Sequence, residues 1–527
     1  MGIRLPACFT NVKFLVALIA GLLAFVVQSG ELGSADTMHR LQTAHSFWTS
    51  EPPVFPNEYP EFGVHGRGGK LYDWYGIGQP LLLLPADIVA TYVEKLPPFA
   101  DYNGSDPTIR NIIVTYTINT LVSILTALIC FRFLRQLEFS VRESVAGVLA
   151  LLFCTTHLHY TQNMMENNLI LLLTLTGFAF QYQWLQTGRT RALLLGAAAF
   201  GFNLLIRLTT GLDLIAGGMF LLLIVRSGNS ERQALRRKFK AYAKTALPVY
   251  LFFLLIDRVY QFYRFGTWTD TYVHYFKLEH RLLDPTLPAN YPWETPFHVG
   301  FVGPLISPEK SIFMFDPLIV LTIIIAVIGW KRFGPQLKAY IIASSFLVFA
   351  CICLYARYTV WSGNFAWGDR YVSTAVQLAV FMSVPLLIKY RAELKKPAWN
   401  IALLIIAASF VIQLASVMLW MPLEIYQADD FGHPQWVIWL RLKNIIAFAF
   451  GKMDAWGLMT DSTRYDQWDY QHITTWNFLP FVLRRIGAAP EWAVRIAFAL
   501  WGTNVALLAT ALARLRSVCL KSQSYFS

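Results

Sequence analysis

The chain has 527 residues, 55% hydrophobic, 15% aromatic and only 14% charged, with a mean hydropathy of +0.44. A soluble domain carries about a quarter charged residues, so a string of soluble domains is excluded and the bilayer is the solvent for most of the length. The formal charge of +12 sits in short loops between apolar runs, which is a positive-inside pattern and not a nucleic-acid footprint.

Taken in chain order, the first apolar run predicts a membrane span over 12–28. Arg4 and Lys13 before it and the small-residue stretch ending at Ala35 imitate a signal peptide. An uncleaved first helix is the expectation, because many spans follow. The stretch SADTMHRLQTAHSFW then places Asp36, His39, Arg40 and His45 just beyond that helix. Further on, GQPLLLLPADIVATYVEK (78–95) is apolar but broken by Pro80, Pro85, Asp87 and Glu94. As a span it would invert every later loop, so it is read as an interfacial or re-entrant helix.

Eleven more spans are predicted over 109–134, 143–159, 167–185, 191–207, 209–226, 244–261, 316–330, 338–357, 371–388, 399–421 and 491–513. This gives an all-α polytopic membrane protein of about twelve helices. The segments assigned to the inner side are net positive. They include 132–142, 331–338, 389–396 and the most basic stretch, RSGNSERQALRRKFKAYAK (226–244). Both termini are therefore expected in the cytoplasm. The outer segments are 29–108, 262–315, 358–370 and 422–490. The last holds a predicted amphipathic helix, WVIWLRLKNIIAFAF, and an aromatic loop, DSTRYDQWDYQHITTW. Trp and Tyr belong at membrane interfaces; they also stack on sugars. The six cysteines show no disulfide or zinc spacing. No phosphate-cradling loop, HExxH or GxSxG is present.

Five places carry candidate chemistry. Asp36 sits at the mouth of the first helix, where partial desolvation would raise its pKa and make it a proton acceptor; a solvated loop aspartate is the alternative. Glu166, opening the fourth span, either faces a polar cavity or is an acid at a helix N-terminus. Arg207, at the turn between the fifth and sixth spans, either meets a phosphate or snorkels to headgroups. Lys310 lies in GPLISPEKSIF. Asp369 and Arg370 lie in WSGNFAWGDRY, where Arg370 is placed to bind an anion at a helix entrance and a local Asp369–Arg370 pair is the alternative.

Four stretches in this order, ADTMHRLQTAHSFW, YDWYGIGQPLLLLPADIVA, MMENNLILLL and the pair GPLISPEKSIF with WSGNFAWGDRY, resemble the GT-C superfamily of membrane glycosyltransferases. The likeness is to the bacterial branch related to protein mannosyltransferases and lipid A aminoarabinose transferases. It runs from the N-terminus to about residue 388 and defines a GT-C-like transmembrane catalytic module over 1–388, with C-terminal helices and the outer aromatic-rich loop over 389–527. Two departures stand out: Asn364 replaces the family's second loop glycine, and Asp36-Thr37 replaces a pair of acids.

The resemblance implies transfer of a sugar from a polyprenyl-phosphate donor on the outer face of the bacterial inner (plasma) membrane, with inversion. Asp36 would be the base, and Arg370, Arg207 and Lys310 would stabilise the leaving phosphate. Glu166 would orient the acceptor or position a divalent cation, Mg or Mn, if one is used; no other cofactor is implied. His39, Arg40, Tyr72, Trp361, Trp367 and Asp369 are the expected substrate contacts. The partners would be membrane lipids and a glycan, lipid or protein acceptor. The rival reading is a transporter or flippase for a lipid-linked or small solute. Its support would be Asp213 and Asp257 within spans, although Arg258 suggests that Asp257 is paired locally.

Overall fold

The computed structural model describes residues 11–55, 63–99, 101–104, 106–227, 232–460 and 475–521. Most of the predicted aromatic loop, 461–474, lies outside the described residues. The chain is helical nearly throughout. The described strands, Val64–His65 and Leu71–Tyr72, pair antiparallel with Val64 opposite Tyr72.

Every predicted span falls on helical chain, from Val12–Val27 and Ile109–Gln136 to Lys396–Ser416 and Glu491–Lys521, although 143–159 and 371–388 are each broken into two helices, Val141–Cys154 with His157–Gln162 and Ser373–Val380 with Ser383–Lys389. Among the described residues, six helices are long and apolar enough to cross a membrane by length and composition. The fourth predicted span, helix Asn167–Thr187, is not one of them: it is more polar and largely buried, because it faces other helices and not lipid. Two boundaries differ from expectation. The helix predicted from 143 starts at Val141, where Ser140 and Glu143 close a capping box. Residues 232–244 of the basic stretch read as a loop are the first part of one continuous helix, Arg232–Phe265. Its Arg, Lys, Gln and Ala residues are good helix formers, and they are free to extend the span beyond the hydrocarbon.

One apolar core links the two ends of the chain: Leu15, Phe133, Phe178, Phe381, Ala402 and Leu515 belong to it. Trp501 donates its indole N–H to the Val26 carbonyl at 2.9 Å. The expected amphipathic helix forms as Val437–Ala449, with reversed polarity. Arg441 and Asn444 point inward to Glu424 at 2.5 and 2.8 Å, while Trp439, Ile446 and Phe450 are exposed. That is the face a helix turns to lipid. The 78–95 segment is likewise a helix, Gly78–Val93 with Pro85 inside, packed against Ala35–Ser46 and Ile109–Gln136.

Candidate functional site

The site starts at the end of the first helix. Gly33 has φ +77, and a Cβ there would lie 2.6 Å from the Asn163 backbone. Only glycine allows this approach. Ser34 then caps helix Ala35–Ser46 by accepting the Thr37 N–H at 3.2 Å. The Thr37 hydroxyl donates to the Met164 carbonyl, and the Met164 N–H donates to the Leu32 carbonyl at 3.2 Å. The helix start is thereby riveted to the stretch that ends in Glu166. Asp36 and Arg40, four apart, share the face turned towards it.

Two ion-pair groups result. Arg370 Nη1 lies 2.5 Å from Asp36 Oδ2, joining residues far apart in the chain. Glu166, nearly fully buried, is held by Arg40 at 2.7 Å on one oxygen and by Arg207 on the other. Tyr75 completes the shell: it lines the same cavity as Asp36, and the Arg40 guanidinium lies 3.9 Å over its ring. Tyr75 is fixed by Gly76 and Gly78, whose missing side chains let the backbone press on Leu205 and Ile206, next to Arg207. The guanidiniums of Arg207 and Arg370 both sit over the Tyr371 ring, at 5.1 and 5.3 Å, and Tyr371 stacks on Tyr355 at 4.3 Å.

These groups border one cavity of about 460 Å³, within the size range of small-ligand sites. Arg40, Arg207, Arg264 and Arg370 line it, against Asp36, Glu166 and Asp257. One carboxylate between two guanidiniums leaves the Arg40–Glu166–Arg207 group with a positive charge in excess, which suits an anion. The upward pKa shift expected for Asp36 is reversed. Burial pushes it up, but Arg370, Arg40 and the Tyr75 hydroxyl outweigh burial and hold the carboxyl at about 2. Burial and the Asp36 charge hold the Tyr75 hydroxyl well above its ordinary value, so it remains a donor.

Of the sequence-predicted residues, the structure brings Asp36, Arg40, Glu166, Arg207 and Arg370 together at this cavity and leaves the others behind its walls. Lys310 is not at the cavity. Its Nζ donates to the carbonyls of Asn364, Ala366 and Gly368 at 2.6, 2.9 and 3.3 Å and so clamps the loop that delivers Arg370. Burial lowers its pKa to about 8. Trp367 is also structural, edge-on to Phe315 at 5.0 Å and stacked with His159 at 6.1 Å. The Trp361 ring fills the space where a Gly303 side chain would be. Asp369 accepts the Tyr371 N–H at 3.0 Å, with burial raising its pKa to about 7; it is not the ion-pair partner of Arg370. His39 is buried away from the cavity. Tyr72 packs edge-on to Tyr263; the tyrosine of that motif that reaches the site is Tyr75.

The departure at Asn364 has a physical reading. Its φ is +43, a left-handed conformation that asparagine tolerates nearly as glycine does, so the loop keeps its turn. The divalent cation expected near Glu166 does not suit this arrangement. Both oxygens of Glu166 already face guanidiniums, and among the described residues no three His, Cys, Asp or Glu side chains gather as a metal requires. Lys310→Met is expected to cost about 1–3 kcal/mol of stability by orphaning buried carbonyls. Thermal unfolding should register this loss.

No family model matches the chain, and no curated protein matches it. Among solved structures it is similar to the archaeal oligosaccharyltransferase AglB from Archaeoglobus fulgidus, in complex with an inhibitory peptide and a dolichol-phosphate, with a TM-score of 0.46 and 13% identity over 89% of this chain. The chain spans 63% of the length of that chain.

Proposed function

We propose that this membrane protein is a glycosyltransferase that moves a sugar from a polyprenyl-phosphate donor to an acceptor hydroxyl on the outer face of the membrane. The observation that carries this reading is the meeting of Asp36 and Arg370 at one cavity, beside a buried carboxylate clasped by two arginines.

In the resting state Asp36 is too acidic to be an effective base. A phosphate arriving between Arg207 and Arg370 competes for the Arg370 guanidinium. Once Arg370 turns to the phosphate, the Asp36 carboxylate loses its main stabilising charge and becomes more basic. It then takes the proton of the acceptor hydroxyl. The hydroxyl oxygen bonds to the anomeric carbon as the bond from that carbon to the phosphate oxygen breaks. The leaving electron pair goes to the phosphate, where Arg370 and Arg207 balance the added charge. Attack opposite the leaving group inverts the anomeric centre.

Purified protein in proteoliposomes, given a radiolabelled polyprenyl-phosphate sugar and envelope extract, should form a new glycosidic product. Movement of the labelled lipid between leaflets with no product formed would instead establish a flippase. The mass of envelope lipids and glycans in a deletion strain, compared with its parent, identifies the sugar and the acceptor.

A further inference from the structure

Near the end of the long helix Arg232–Phe265, the segment LLIDRVYQFYRF places Asp257, Gln261 and Arg264 at spacings of four and three, hence on one face. Leu254, Leu255, Val259 and Tyr263 on the same turns are exposed. The three polar side chains are 1%, 3% and 0% exposed, yet all three line the cavity. Polar groups this close to lipid are costly unless they face a polar space.

Their bonding is incomplete on the cavity side. Arg264 donates from Nη1 to the Asp73 carbonyl at 2.5 Å and from Nη2 to Gln261 Oε1 at 3.0 Å. Its Nε is buried with no hydrogen-bond partner among the described residues. Arg258 neutralises Asp257, with its Nε 2.9 Å from Oδ2. The contact from Gln261 Nε2 to Asp257 Oδ1 is long, at 3.4 Å. An aromatic wall belongs to the same cavity: Trp74 and Phe276 meet edge-on at 5.4 Å. Phe276 and His280 come from helix Tyr272–Leu283, none of whose residues is buried.

We propose that Asp257, Gln261 and Arg264, with the side chains of Trp74 and Phe276 beside them on the cavity wall, form the subsite for the sugar ring of the lipid-linked donor. This rests on the glycosyltransferase reading above. A carboxylate, an amide and a guanidinium N–H side by side accept from and donate to neighbouring ring hydroxyls. The aromatic cluster of Trp74, Phe276 and His280 supplies apolar contact for the C–H groups of a pentose or hexose.

The test measures binding of undecaprenyl phosphate, and of undecaprenyl-phosphate glucose, mannose and arabinose, to protein in lipid nanodiscs. The wild-type protein should prefer at least one glycosylated lipid over the bare phosphate by about tenfold. Gln261→Leu and Phe276→Ala should each erase that preference, while bare-phosphate affinity stays within about twofold. Phe276 lies on a half-exposed helix, so its truncation tests the subsite even where Gln261→Leu fails to fold. A wild-type protein that binds bare and glycosylated lipids alike overturns the proposal. So do variants that weaken both kinds of lipid equally. A wild-type protein that binds none of the four overturns the glycosyltransferase reading itself.

Discussion

Asp36→Asn is expected to leave the protein in the membrane and to lower transfer by about 10²–10⁴-fold, the usual contribution of a general base. The substitution keeps size and shape but removes the charge that Arg370 holds at 2.5 Å. Arg370 then has no carboxylate to leave when a phosphate arrives. Donor binding should therefore be kept or tightened while kcat falls, a split that simple misfolding does not produce. The wild-type protein has a matching pH signature. Asp36 titrates at about 2, below its ordinary 3.8. Its lowered pKa contributes stability that is fully present above the ordinary value and is lost as the pH falls through about 2. Any acidic limb of kcat/KM for the donor well above that value must belong to another group, whereas a shift of Asp36 in the donor-bound state appears in kcat. Full activity of Asp36→Asn would end the proposed mechanism.

Glu166→Gln is expected to be the more destabilising change. Glu166 is 1% exposed and faces Arg40 and Arg207, one on each oxygen. Neutralising it leaves two guanidiniums close together with no counter-charge. Breaking a buried charge group in this way costs about 3–5 kcal/mol. Thermal unfolding in nanodiscs should show a drop well beyond that of Asp36→Asn, whose pair is more exposed. Inorganic phosphate should recover part of the loss by replacing the missing anion between the arginines. An unchanged midpoint would mean that Glu166 does not hold the two arginines together.

The helices and five of the residues that line the cavity were legible in the sequence for different reasons. Apolar runs of membrane length have one stable solution, since every backbone N–H and C=O must be satisfied without water; that is why each predicted span falls on helical chain. Asp36, Arg40, Glu166, Arg207 and Arg370 stood out because charged groups at the ends of apolar helices are costly unless they meet partners. Lys310 carries the same signal, but a buried lysine that donates to backbone carbonyls looks, in sequence, like one that awaits a phosphate. Asp257, Gln261 and Arg264 were visible as a helical face within an otherwise apolar run, but the adjacent Arg258 accounted for Asp257 locally and hid the pattern.

The sequence by itself determined a helical membrane protein and the places where charge interrupts its apolar helices, because hydropathy and helical period are local properties of a chain in lipid. Tertiary structure alone decided which charges meet. The pairing of Asp36 with Arg370, and of Glu166 with Arg40 and Arg207, joins segments that only helix packing brings within bonding distance. The same packing made Asp36 a strong acid in the resting state, because a neighbouring guanidinium outweighs the desolvation that position alone would suggest.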